Sequence, residues 1–501
     1  MDTTLRDGEQ TSGVSFTAGE KLQVAKLLLE ELKVDRIEIA SARVSEGERQ
    51  GAKKIMAWAK EEGYLDKVEI LGFVDNNLSL AWIEEVGGKV INLLCKGSLK
   101  HCESQLRKTP EEHIYDIQQV IRQAKKMDIT VNVYLEDWSN GMRRSPEYVY
   151  QIIAGIKDEG VHRFMLPDTL GILNPDESGL FCSDMLRRFP DQNFDFHAHN
   201  DYDLATANVY SAIKAGINCV HATLNGLGER AGNVPLSSVV GVVNDHLTEH
   251  ELAVDEKKLF QISKMVESFS GVRIPENKPL IGEFVFTQTS GIHADGDNKD
   301  NLYHNELKPE RFNRKHSYAL GKLAGKASIK KNLEELGIEL DVPSMKKLTK
   351  KINELGDKKE VVTKEDLPYI IADVLKSQQI KQRIKIRNYA LSVAAGLKSV
   401  ATLSIEIDNK EYEETASGDG QYDAFMNALW RIYDRLGKPY PTLTDYNVTI
   451  PPGGRTDALC HTTITWNFKG KSFKTNGLDS DQAIAAIKAT IKMLNVIENG
   501  L

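Results

Sequence analysis

The sequence predicts an α/β protein: a (β/α)8 TIM barrel, then a linker region of short helices, then a C-terminal α+β domain. Three observations predict it. Short β-branched runs alternate with amphipathic stretches through about residue 250. The predicted strand ends are polar, which is where a barrel carries its chemistry. Past about residue 275 the alternation stops and two other patterns replace it. Strand then helix, eight times in about 250 residues, is a barrel pattern, with an open doubly wound sheet as the alternative on pattern alone.

The predicted strands are a stub at 2–4 and runs at 34–41, 68–74, 90–95, 129–137, 162–168, 194–199 and 218–224. The intervening helices carry start signals. In TAGEKLQVAKLLLEEL, Thr17 is the N-cap and Glu20, three residues on, completes a capping box. In TPEEHIYDIQQVIRQAKK, Thr109 caps, Pro110 takes the first helical position, and acids fill the first turn. The predicted domains are a barrel over 1–275 with RIPENKPLIGEF and its two prolines at its exit, a polar, irregular linker subdomain over 276–325, and a helical linker subdomain over 326–384. A domain of alternating strands and periodic helices covers 385–501. No internal repeat is legible.

The 501 residues are 41% hydrophobic and 27% charged, the balance of a globular chain with room for a large core. A net charge of −8 argues against a nucleic-acid or anionic membrane surface. Cys95, Cys102, Cys182, Cys219 and Cys460 are odd in number and form no CxxC pair, which predicts reduced thiols and a cytoplasmic location. The sequence shows no charged-then-apolar pattern and no 18-residue apolar run, which predicts neither secretion nor a membrane span.

The predicted strand ends gather candidate chemistry: Arg6 and Asp7, Glu136 and Asp137, Asp168 and Thr169, HAHND, and NGLGERAGN. His197 and His199 are two apart, so on a strand both face one side. Two imidazoles with a carboxylate make a divalent-metal site, and Asp7 is the natural carboxylate. The plainer reading keeps one histidine structural and the other solvated. Arg6 beside a metal would donate its planar fork to a carbonyl or carboxylate; alone, it would be a surface residue. The glycines of GLGERAGN permit close backbone approach but do not follow dinucleotide spacing.

DTTLRDGEQ, HAHND, NGLGERAGN and SGIHADG, in that order, resemble the signatures of the 2-isopropylmalate, homocitrate and citramalate synthases, over essentially the whole chain. The resemblance implies an acyltransferase that condenses acetyl-CoA with a 2-keto acid and hydrolyses the thioester. It implies a divalent cation (Mg, Mn or Zn) held by Asp7, His197 and His199, with Asn233 a further candidate ligand. The metal would chelate the keto acid. Arg6 would polarise the keto oxygen, Thr169 hold the substrate carboxylate, and Glu136 position water or the developing hydroxyl. His293, with Tyr303, would serve deprotonation of the acetyl methyl, in trans across a homodimer.

Leu71, Leu94 and Tyr134 resemble the pyruvate pocket of the citramalate-forming members, where isopropylmalate-forming members carry a small residue at the place of Tyr134. A filled pocket rejects the isopropyl group of ketoisovalerate by clash. Ordinary barrel core is the other reading of these three. The expected product is (R)-citramalate for isoleucine synthesis; the alternative is 2-isopropylmalate for leucine. The C-terminal domain resembles one that binds an end-product amino acid as feedback inhibitor, with GDGQYDAFMNAL and IPPGGRTDALCHTT as its loops. A lyase on the same barrel and an amino-acid sensor with an inactive barrel are the rival readings. Family members carry a longer stretch ahead of the first motif. The sequence therefore predicts exposed edges on the neighbouring strands, Arg6 and Asp7 on a fraying terminus, and a true start upstream of Met1.

Overall fold

Seven parallel strands form the first sheet: β1 (Ile37–Ser41), β2 (Val68–Phe73), β3 (Val90–Lys96), β4 (Thr130–Glu136), β5 (Arg163–Asp168), β6 (Phe194–Ala198) and β7 (Cys219–His221). They pair in chain order. The computed structural model describes residues 1–289, 296, 302, 305–336, 338–357, 362–375, 383–450 and 460–498. The strands alternate along the chain with helices such as Glu46–Glu62, Pro110–Lys126 and Pro175–Arg188. Both predicted capping boxes form, at Thr17 with Glu20 and at Thr109 with Glu112.

The eighth position of the barrel is filled by one residue. Asp2 bridges in parallel to Ile37 on one side and to Ala222 on the other. Its N–H donates to the Arg36 carbonyl (2.9 Å), its carbonyl accepts from Glu38 N–H (2.9 Å), and Thr3 N–H donates to Ala222 (2.9 Å). Asp2, Thr3, Thr4 and Leu5 are fully buried. The expectation of Arg6 and Asp7 on a fraying terminus is therefore corrected. Backbone bonds on both sides and complete burial hold the segment, so its opening would break ladder bonds that water does not already share.

Period-two alternation sets what each face does. In β4, Val131, Val133 and Leu135 join the apolar shell under the helices, while Asn132, Tyr134 and Glu136 take the other face. The barrel interior below the strand ends is polar: Glu38, Glu69, Asn92, Asn132 and Asp195 are all buried. Arg6, Arg36 and the two asparagines partner them. Stability resides in the outer layer, where the strands' other faces meet the helices in one large core.

Met1–Phe286 and Asn305–Lys315 make one unit, in which Arg311 binds Asp245 and Glu256 and so ties 305–315 to the barrel helices. The described residues of Thr287–His304 and His316–Leu501 make the second. There, β8 (Thr287–Gln288) pairs with β9 (Ser317–Tyr318), and helices Lys326–Glu335, Val342–Asp357 and Leu367–Leu375 share a small core around Ile329, Leu348 and Leu367. Antiparallel strands follow: β10 (Ile384–Ser392), β11 (Ser399–Ile407) and β12 (Lys410–Gly418), then helix Gln421–Arg435. The same order returns as β13 (Thr442–Thr449), β14 (Cys460–Phe468), β15 (Lys471–Asp479) and helix Gln482–Glu498. This βββα duplication was not legible in the sequence, because the two halves share alternation and not residues. The two third strands share one device. A Cβ at Gly418 would lie 2.4 Å from Ala424 N, and one at Gly477 would lie 1.8 Å from Ala485 O. Gly477→Ala is expected to destabilise this unit by about 2–4 kcal/mol, read as a lower Tm of the full chain's corresponding transition. All five cysteines are free thiols, and no helix among the described residues is long and apolar enough to cross a membrane.

Candidate active site at the strand ends

The first motif turns sharply after closing the barrel. The Thr3 carbonyl accepts from the N–H groups of Arg6, Asp7 and Gly8 (3.2, 2.8 and 3.1 Å), which lifts Arg6 and Asp7 over the strand ends. Lys21, on the inner face of helix Ala18–Lys26, pins the turn from behind. Its Nζ donates to the Leu5 carbonyl (3.1 Å) and the Ile39 carbonyl (3.3 Å) and pairs with Glu9 (2.6 Å) and Glu48. Sequence reasoning missed Lys21. A lysine on the Val24, Ala25 and Leu28 face of an amphipathic helix was the available signal.

Asp7 Oδ2 lies 3.1 Å from His197 Nε2 and 3.8 Å from His199 Nε2, and all three residues are buried. Their ligand atoms fall within 4.8 Å of one another, the spacing of a metal-holding group. Asp7 Oδ1 and Asn233 Oδ1 are buried without a hydrogen-bond partner. Burial pushes the His199 imidazole down to about 4, which leaves it neutral, the form that binds a cation. Burial alone would raise Asp7, but Arg6 and the two imidazoles hold it well below the usual carboxylate range. The residues present thus fit a divalent cation. Asn233 is placed by the NGLGERAGN loop: its backbone bridges His199 and its Nδ2 donates to Leu227 O (3.1 Å). A Cβ at Gly228 would sit 2.3 Å from that Nδ2, so glycine is required there.

A cavity of about 290 Å³ opens over this group. It is lined by Arg6, Asp7, His197 and His199, by Leu71, Leu94 and Tyr134, and by Glu136 and Thr169. Nine of the sequence-derived residues therefore share one pocket. Register explains part of this: Leu94 pairs with Tyr134 and Lys96 with Glu136 across β3 and β4. Glu136 binds Lys96, while Arg6 Nε donates to Glu38 (2.6 Å). Thr169 Oγ1 accepts from Asp137 N–H (2.9 Å), which leaves the hydroxyl hydrogen to donate into the pocket. Arg230, next to the lining residue Glu229, binds Asp201 and donates to the Thr169 carbonyl (2.8 Å). Asn233 is placed beside the pocket and is not among its lining residues. His293 and Tyr303 lie outside the described residues, as does most of IPPGGRTDA.

A second group, Asp195, Cys219 and His221, has similar spacing deeper in the barrel. Arg36 fills it, donating to Asp195 and, at 2.9 Å, to Cys219 Sγ. A guanidinium there replaces the charge that a cation would bring, so this is an internal ion network and not a metal site.

Residues 1–266 match the HMGL-like family model, 280–360 the homocitrate synthase post-HMGL domain-like model, and 361–498 the LeuA allosteric (dimerisation) domain. The (R)-citramalate synthase of Methanocaldococcus jannaschii is 31% identical over 100% of this chain and 99% of its own. The 2-isopropylmalate synthase of Campylobacter concisus is 31% identical over 99% of this chain and 97% of its own. With the strand-end pocket, the polar metal-type group and three family models in order, the chain belongs to the HMGL-like family, in the branch with a LeuA dimerisation domain that includes citramalate and 2-isopropylmalate synthases.

Proposed function

We propose that the chain condenses acetyl-CoA with pyruvate to give (R)-citramalate, with hydrolysis of the thioester and release of CoA. The observation that carries the reading is one pocket that combines the Asp7, His197 and His199 group with Arg6, Thr169 and Glu136 and an apolar wall of Leu71, Leu94 and Tyr134. A bound divalent cation (Mg, Mn or Zn) would supply Lewis acidity and chelation for the keto acid, through Asp7, His197 and His199, with Asn233 as a further ligand. Glu38 takes the Arg6 Nε hydrogen and Asp7 Oδ2 lies 3.5 Å from Nη1, so Nη2 remains to donate to the keto oxygen as negative charge develops there. The Thr169 hydroxyl donates to the substrate carboxylate. Glu136, held by Lys96, orients water or the new hydroxyl. His293 and Tyr303 serve removal of the acetyl proton, from the partner subunit of a homodimer. The LeuA domain match supports that dimer and an amino-acid effector, isoleucine for this product.

The pyruvate assignment rests on size. Tyr134 is 3% exposed and Leu71 5%, so the wall is filled. The test is CoA thiol release from acetyl-CoA with Mg²⁺ or Mn²⁺, with pyruvate and 2-ketoisovalerate in parallel. Release with pyruvate alone supports the reading; release with 2-ketoisovalerate alone assigns the 2-isopropylmalate reaction instead. Chelation is expected to abolish release and Mg²⁺ or Mn²⁺ to restore it, while Asp7→Asn should weaken metal affinity by at least about tenfold, read by titration calorimetry.

A further inference from the structure

Tyr134 stands on β4 and His221 on β7, three strands apart, so the tyrosine ring reaches across the barrel interior. Its hydroxyl meets His221 Nδ1 at 3.0 Å. On the other side of that imidazole, Nε2 lies 3.2 Å from Asp195 Oδ2. Asp195 also accepts from Arg36 and, at 3.4 Å, from Arg163, so its carboxylate is an acceptor only. Nε2 therefore carries the hydrogen, a neutral ring leaves Nδ1 as the acceptor, and the Tyr134 O–H donates to it. His221 does not line the cavity, whereas Tyr134 does. The hydroxyl is thus held by a partner below the pocket, and the pocket is met by the ring. The same ring has the Arg6 guanidinium 5.8 Å from its centroid and the His197 ring edge-on at 5.7 Å. Its tilt is therefore shared with a metal-type ligand and with the cation proposed for the keto oxygen.

We propose that His221, oriented by Asp195, is a positioning residue that locks the Tyr134 ring as the floor of the keto-acid pocket and so sets the size of side chain the enzyme accepts. This rests on the reading of Leu71, Leu94 and Tyr134 as the wall that meets that side chain. The bond from the Tyr134 O–H to Nδ1 fixes the tilt of the ring; when either partner is lost, the ring is free to turn away from the pocket. The floor would then move away from a methyl group and make room for a branched one. A metal is excluded from the Asp195 group by Arg36, and a purely structural role would leave keto-acid selectivity unchanged.

The test compares kcat/KM for pyruvate and 2-ketoisovalerate in the full-length protein with Mn²⁺. His221→Leu removes the acceptor, and Asp195 keeps both arginine partners. The pyruvate-to-ketoisovalerate ratio is expected to fall about tenfold, the value of one loosened methyl contact, chiefly through KM. His221→Asn, which keeps an acceptor near the Nδ1 position, recovers most of the ratio. Tyr134→Phe removes only the hydroxyl and gives the same fall, and the double variant falls no further. Loss of active protein lowers both substrates alike, so the ratio reports selectivity and not folding. An unchanged ratio in His221→Leu, or an additive double variant, overturns the proposal. Should His221→Leu not fold, an unchanged ratio in Tyr134→Phe overturns it alone. A wild-type preference for 2-ketoisovalerate overturns the pyruvate reading instead, and the change of ratio between wild type and variants still decides the role of His221.

Discussion

Arg6→Lys is expected to lower kcat of the condensation about 100-fold with little change in Tm. Glu38 is what makes the two side chains differ. That carboxylate is buried in the barrel and accepts from Arg6 Nε (2.6 Å) and Asn92 (2.7 Å). A lysine keeps its counter-charge but offers a single ammonium, which cannot both hold Glu38 and donate to an oxygen above it. Positioning is lost while the interior stays neutralised. Arg6→Gln removes both jobs: it takes away the charge that faces Glu38 and is expected to cost about 3–5 kcal/mol of stability besides the loss in kcat. Denaturation curves and steady-state kinetics on the two variants check this. Equal stability losses in both would mean that Arg6 is a structural ion and not the group that meets the keto oxygen.

Lys21→Met is expected to destabilise the barrel by about 3–5 kcal/mol, the cost of cutting one partner from a buried ion cluster. Lys21 is 1% exposed and stands between Glu9 and Glu48, with two backbone carbonyls turned toward it. Without it two acids face each other beneath the turn that carries Arg6 and Asp7. Burial already pushes the Glu48 carboxyl up, and Lys21 is the group that opposes this. In the variant the folded state therefore binds the Glu48 proton more tightly than the unfolded chain does, and stability rises as pH falls through the raised pKa. The deficit should be largest near pH 8 and shrink toward pH 5, as urea unfolding across that range would show. Adding Glu48→Gln should recover part of the loss at neutral pH. A deficit independent of pH would assign the loss to packing.

Much of the candidate site was readable because its residues lie at strand ends in short contiguous motifs. Arg6 with Asp7, and His197 with His199, each needed only local spacing, and the pocket joins them. What escaped was the layer beneath. Glu38, Glu69, Asn92 and Asp195 sit singly inside apolar strands, and a lone polar residue in such a run does not say which distant side chain completes it. His221 belongs to the same class: its partners are 87 and 26 residues away in sequence. The stub at 2–4 was legible as the eighth strand, but not that so short a segment would hold: two or three residues carry no periodicity, and only the strands on either side show Asp2 bridged to both.

That closure also bears on how the protein is made. Asp2 and Thr3 find their second partner at Ala222, and Leu224 N–H donates to Thr4 Oγ1. During synthesis residues 2–4 must wait for more than two hundred others before their ladder is complete. Long-range closure of this kind is slow, because a large loop is fixed before the contacts that reward it form. The turn that carries Arg6 and Asp7 is set in the same event. Nascent chains shorter than the 222–224 segment should therefore hold Asp7 apart from His197 and His199, and the metal-type group assembles only once that segment is in place.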